Sequence, residues 1–179
     1  DAAQVADAFG NEVFYSGLES LALRAGAHGD TVNIHDVAWG TGATVYGGGG
    51  EDHFLVCGES NIFALSGSLT VDGEGGDDEL FVYDQSYAGS TNYTITASQV
   101  ADGYGNEVAY SGLADLTLRT GQGTCGVTLS SFAAGVFTHV NGGAGANHVS
   151  VLAAPGGPAH IEAGGQSGDR LTIEGTSTD

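Results

Sequence analysis

The chain has 179 residues, enough for one domain or one segment of a repeat array, with 22 acidic residues against 3 basic ones and a net charge of −19. That balance excludes nucleic acid, whose phosphates need Lys and Arg partners, and insertion into or adhesion to an anionic membrane; no apolar run is long enough to span a bilayer. Leu, Ile, Val and Phe make up about a fifth of the chain, close to where highly charged chains stay disordered, so folding calls for a strict ordering of these residues or a bound cation.

Six glycine-rich blocks punctuate the chain, each bracketed by apolar residues. "AGAHGDTVN" from Ala25 follows Leu23 and carries Val32 and Ile34. "GGGGEDHFL" from Gly47 follows Val45 and leads to Phe54 and Val56. "GEGGDDELF" from Gly73 lies between Val71 and the pair Leu80/Val82. "TGQGTCGVT" from Thr120 lies between Leu118 and Val127/Leu129, and "GGAGANHVS" from Gly142 between Val140 and Val149/Val151. "GGQSGDRLT" from Gly164 follows Ile161, with one residue inserted, and leads to Leu171/Ile173. The block starts are 22, 26, 47, 22 and 22 residues apart, the 47 being two periods with one block eroded at "TASQVADGYGNEV".

A longer repeat contains these blocks. "QVADAFGNEVFYSGLESLALRAG" at Gln4–Gly26 recurs as "QVADGYGNEVAYSGLADLTLRTG" at Gln99–Gly121, an offset of 95 residues. Residues 1–95 form a first super-repeat and 96–179 a second, shortened one. Each apolar pair alternates with an outward residue, the signature of strands buried on one face. The same alternation every ~24 residues predicts strands stacked turn upon turn: an all-β, right-handed parallel β-helix with four coils per super-repeat and seven or eight coils in the chain. Glycine fits the corners because positive φ costs it little. With 32 glycines and no 3.6-residue apolar period, helices are excluded.

The sixth position of the blocks reads Asp30, Asp52, Asp78, Cys125, Asn147, Asp169. Asp and Asn at turns commonly bond their own backbone. Stacking adds a second reading, in which three carboxylates share a column at roughly 5 Å spacing and repel by ~3 kcal/mol per pair at an effective dielectric near 20. Glu51, Glu74, Asp77 and Glu79 add to that field. A hard cation between coils would reverse the sign, and Ca²⁺ suits a mixture of carboxylate and carbonyl oxygens.

The block "GGGGEDHFL" carries the pattern G-G-x-G-x-D-x-U-x at every fixed position, with Phe54 as U, and "GEGGDDELF" departs from it only at Glu74. In this it resembles the haemolysin-type (RTX-like) calcium-binding repeats, and the segments between blocks look like those of large secreted bacterial tandem-repeat surface proteins. The resemblance implies Ca²⁺ held by turn carboxylates and carbonyls: Asp52 and Asp78 with Gly47, Gly49, Gly73 and Gly75, then Asp30, and last Asp169. It also implies an extracellular or cell-surface place and a structural role as spacer, scaffold or fibre. Two features differ. Those repeats place two nonapeptides in each coil of eighteen residues, whereas this chain has one in ~24. The Asp is replaced at Cys125 and Asn147, so weak binding or none is expected in the second copy.

His139 and His160 are expected to stack in adjacent coils, as surface residues or as half of a transition-metal site. His53 and His148 fall in one column four coils apart. Arg24 and Arg119 are copies beside acids, and Trp39 is a core or loop anchor. Cys57 falls in the outward column and Cys125 in a turn three coils away, too far apart for a disulfide. A polysaccharide-degrading or polysaccharide-binding β-helix is the alternative function; it needs clustered acids, and only Asp84 to Asn92 stands outside the repeat pattern. Ice binding would need a regular flat array, and Asn33, Leu55, Phe81, Thr128, Ser150, Thr172 is not one. The chain shows no signal peptide, initiator Met or end cap, which points to a processed or excised segment joined to neighbouring repeats or stacking end to end with other copies.

Overall fold

The computed structural model describes residues 3–7, 12–15, 17–58, 61–152 and 157–174, with backbone alone for 3–7 and 12–14. Both chain ends named above, 1–2 and 175–179, lie outside the described residues. Seventeen strands and one 3₁₀ turn, Ile62–Ala64, make up the regular structure among them. The first half contains β1 (Ala3–Asp7), β2 (Glu12–Tyr15), β3 (Ser20–Arg24), β4 (Thr31–Ile34), β5 (Gly42–Gly49), β6 (His53–Val56), β7 (Ser68–Gly75) and β8 (Glu79–Tyr83). The second contains β9 (Asn92–Ile95), β10 (Gln99–Asp102), β11 (Glu107–Ser111), β12 (Asp115–Arg119), β13 (Gly126–Leu129), β14 (Phe137–Asn141), β15 (His148–Val151), β16 (Ala159–Glu162) and β17 (Arg170–Ile173).

The strands form a two-sheet β-solenoid of about seven turns. One sheet has eight strands in the order β16-β14-β12-β8-β6-β4-β1-β2, and the other nine in the order β17-β15-β13-β9-β10-β11-β7-β5-β3. Inward residues stack from coil to coil. Val32, Phe54, Leu80 and Leu116 are in register, and so are Ile34, Val56, Val82, Leu118, Val140 and Ile161. Most are fully buried, each contributing about 1.5–3 kcal/mol, which offsets the mutual repulsion of the acids. The last coil differs: Leu171 and Ile173, expected in the core, are 51% and 71% exposed, because no described coil lies beyond them.

The eroded block is not a coil. β10 pairs antiparallel with both β9 and β11, so three consecutive strands lie in the nine-stranded sheet before the chain crosses at β12. The turn between β10 and β11 is tied by Asp102, whose Oδ1 accepts the N–H groups of Tyr104 at 2.8 Å and Asn106 at 3.0 Å. As a result the first 95-residue unit makes seven sheet-to-sheet crossings, three and a half turns in place of the expected four. An odd number of crossings turns the second super-repeat over. β3 lies in the nine-stranded sheet and its copy β12 in the eight-stranded one. The first three glycine blocks therefore turn along one edge of the solenoid and the last three along the opposite edge. The six turn positions thus form two columns of three.

Candidate metal centre

Within each column the turn side chains form a ladder. The N–H of Asp30 donates to Asp52 Oδ1 at 2.7 Å, and the N–H of Asp52 to Asp78 Oδ1 at 2.8 Å. On the other edge the N–H of Cys125 donates to Asn147 Oδ1 at 3.3 Å, and that of Asn147 to Asp169 Oδ1 at 2.8 Å. One oxygen of each interior side chain thus ties its coil to the previous one. Gly48 and Gly50, at φ +95° and +112°, let the turn close between these ties. Gly49 donates its N–H to the Gly26 carbonyl, and Gly75 accepts that of Gly50.

The second atom of the side chain differs between positions. Asp30 Oδ2 accepts the Gly26 N–H at 2.8 Å, and Asp169 Oδ2 accepts that of Gln166 at 2.6 Å. Asn147 turns its amide into the corner, where Nδ2 donates to the carbonyls of Gly143, Gly145 and Ala163 at 3.0, 2.8 and 2.8 Å. Cys125 points its thiol at the Gly123 carbonyl at 3.3 Å and towards that of Gly121 at 3.8 Å. Both second-copy interior residues are donors facing carbonyls.

Asp52 and Asp78 occupy the equivalent corners with carboxylates. Both residues are fully buried, and Oδ2 of each has no hydrogen-bond donor. A Cβ placed on Gly47 would strike Asp52 Oδ2 and the Gly73 carbonyl oxygen together; one placed on Gly73 would strike Asp78 Oδ2 and the Gly112 carbonyl oxygen. Gly142 shows the same crowding from Asn147 Nδ2 and the Ala163 carbonyl. In the first copy, then, oxygen faces oxygen where the second copy has N–H or S–H facing oxygen. Such a corner leaves a buried oxygen without a donor, a cost that a bound cation would remove. Burial holds the Asp78 carboxyl above the ordinary carboxylate range, the N–H of Asp52 working against that and the charges of Asp52 and Asp77 adding to it. The donor set is one carboxylate oxygen with backbone carbonyls, hard ligands suited to Ca²⁺. Among the described residues, no three His, Cys, Asp or Glu side chains converge on a point.

The remaining expected residues fall as follows. His139 and His160 are in register on β14 and β16 with ring centroids 5.8 Å apart, and His139 Nε2 lies 3.5 Å from Asp115 Oδ1. His53 and His148 do not share a column: they lie in different sheets, as the turned-over repeat requires. His53 Nδ1 lies 3.0 Å from Glu79 Oε2. Cys57 is not outward but fully buried, because a left-handed φ of 59° at the strand end rotates its side chain inward. Cys57 and Cys125 are not joined in a disulfide. Trp39 is 87% exposed and anchors no core.

Two features escaped the sequence reading. Asp84 is buried as the centre of a closed knot: Oδ1 accepts the Ile62 N–H, Oδ2 accepts the Tyr93 hydroxyl proton, and the Tyr93 oxygen accepts the Gly121 N–H. Burial raises both groups' pKa values. Beside it Phe63 packs on Tyr87 and Tyr104, each at 4.6 Å between ring centroids. The one signal for this cluster was the unrepeated stretch from Asp84 to Asn92. No family model, curated protein or solved structure matches the chain.

Proposed function

We propose that the chain is an extracellular structural module, a spacer or scaffold whose stacked coils are locked by Ca²⁺ at the glycine-rich turns of the first super-repeat. The observation that carries this reading is the pair of buried, donor-less oxygens, Asp52 Oδ2 and Asp78 Oδ2, set against carbonyls where Asn147 sets an amide. A cation there joins adjacent coils, so its binding energy is folding energy. With two such corners on one edge and donors on the other, the first super-repeat is the calcium-dependent half.

Thermal melts in calcium, in magnesium and in EDTA at matched ionic strength test this. At 100 times the dissociation constant, calcium adds about 2.7 kcal/mol, a rise of roughly 5–10 °C for a chain of this size. Equal midpoints in calcium and EDTA reject the reading.

A polysaccharide-binding role has one observation in its favour. An open hollow of about 400 Å³ is lined by Thr41, Ser66, Ser68, Asn106 and Glu107, and exposed Trp39 immediately precedes Gly40, another lining residue, in the chain. Glycoside hydrolysis uses a pair of carboxylates, and Glu107 is the single carboxylate of that lining, so the hollow fits binding better than cleavage. Glycan binding that disappears in Trp39→Ala would establish it.

A further inference from the structure

We propose that the two ends of the solenoid are complementary and that copies of this chain stack head to tail, β17 of one copy lying parallel against β3 of the next. This rests on the structural-module reading and names its partner: a second copy of the same chain. The template is inside the molecule. Where the first super-repeat meets the second, β8 pairs parallel with β12, Leu80 against Leu116 and Val82 against Leu118, all four buried. β12 is the second copy of β3, and β17 stands in the second super-repeat where β8 stands in the first. One end therefore presents what β8 presents, and the other what β12 presents.

The topology permits the match. β17 and β3 are the two outer strands of the nine-stranded sheet, and β16 and β2 those of the eight-stranded sheet. Each outer pair runs in the same direction, since the reversals at β10 and at β1 each return the sheet to its original sense. A translated copy thus extends both sheets at once, and such a contact propagates without closing. Carried over from the internal junction, the register sets Leu171 against Leu21, Ile173 against Leu23 and Glu174 against Arg24. Leu171 and Ile173, exposed in one copy, gain the cover that Leu80 and Val82 already have. Charge agrees: of the 3 cationic side chains in a chain of net charge −19, Arg24 and Arg170 stand on the two outer strands, and Arg24 meets Glu174.

Disulfide trapping on the full chain tests the register. Ala22 and Thr172 fall opposite one another across the contact, within the reach of a disulfide. At opposite ends of one solenoid, the same two positions cannot be bridged within a copy. Oxidised Ala22→Cys/Thr172→Cys is expected to give a ladder of dimers, trimers and longer species. Ala22→Cys/Ser150→Cys, one strand further from the contact, gives no ladder. Sedimentation velocity of the wild-type chain is expected to show concentration-dependent growth into rods, abolished by Ile173→Asp while the melting midpoint of the dilute protein stays within 2–3 °C. A wild-type chain that stays monomeric up to millimolar concentration, or an equal ladder from both cysteine pairs, overturns the proposal. Either result leaves the calcium response untouched, so the module reading stands or falls separately.

Discussion

At the scale of single residues, the contrast between Asp52 and Asn147 is the sharpest lever. An amide at position 52 would donate where the carboxylate cannot. Asp52→Asn is expected to stabilise the protein in EDTA by about 1–3 kcal/mol, the cost of a buried unsatisfied group, and to reduce the calcium-induced rise in midpoint. Asp169→Asn should leave the calcium response unchanged, because both its oxygens already accept N–H donors. Calorimetric melts of the two variants, with and without calcium, decide. At the Asp78 corner a proton competes with the cation. Burial raises the Asp78 carboxyl, so the folded chain holds that proton more tightly than the unfolded one. The linked stability is full below the unfolded value near 3.9 and is lost as pH rises through the higher folded value. In EDTA the midpoint should therefore fall between weakly acidic and neutral pH, less so in Asp78→Asn. Saturating calcium should flatten the fall further, leaving the share that belongs to Asp84, which shifts the same way. An EDTA profile identical in wild type and Asp78→Asn would assign the effect elsewhere.

At the scale of elements, stability follows position along the stack. Leu116 lies between two neighbours in register and is fully buried, whereas Leu171 has a neighbour on one side and is half exposed. Leu116→Ala is expected to cost 2–5 kcal/mol and Leu171→Ala under about 1 kcal/mol, as read from denaturant midpoints at constant slope. Gly47→Ala should approach the first of these, because its Cβ meets a carboxylate oxygen and a backbone carbonyl at once. The pattern behind these numbers was legible in the residues: pairs such as Phe54/Val56 and Val149/Val151 mark buried strand faces, and the glycine blocks mark corners. What the residues did not show is which strand crosses to the other sheet. β10 and β11 alternate like any other strand, and only their pairing places them in the same sheet as β9. The segment "DGYGN" between them is a hairpin turn held by the Asp102 side chain, and turn residues alone do not distinguish a hairpin from a solenoid corner. One missed hairpin changed the parity of the repeat, and with it the placement of His148, Cys125 and Asn147. Cys57 was misplaced for a local reason, a left-handed residue where alternation predicted an extended one.

At the scale of the molecule, the turned-over second repeat gives the solenoid two unlike edges. One carries buried carboxylates facing carbonyls, and the other a thiol and an amide facing carbonyls. In a stack whose coils touch only their neighbours, opening starts where neighbours are missing and where local ties are weakest. Native-state hydrogen exchange in EDTA is therefore expected to show the strongest protection in β6, β8 and β12 and the weakest in β16 and β17. Added calcium should raise protection selectively. Amides of the first-copy corners are at the proposed site: Asp52 donates to Asp78 Oδ1, and Asp30 to Asp52 Oδ1. Their exchange should slow by the same factor that calcium adds to local stability, about 100-fold at 100 times the dissociation constant. The Cys125 and Asn147 amides, bonded to side chains that already have donors in place, should slow only as far as global opening does. General screening of the −19 charge would act on both edges alike and would be reproduced by sodium chloride at matched ionic strength. A uniform slowing, equal on both edges and equal in the two salts, would reduce calcium to a screening ion and remove the metal centre from the first super-repeat.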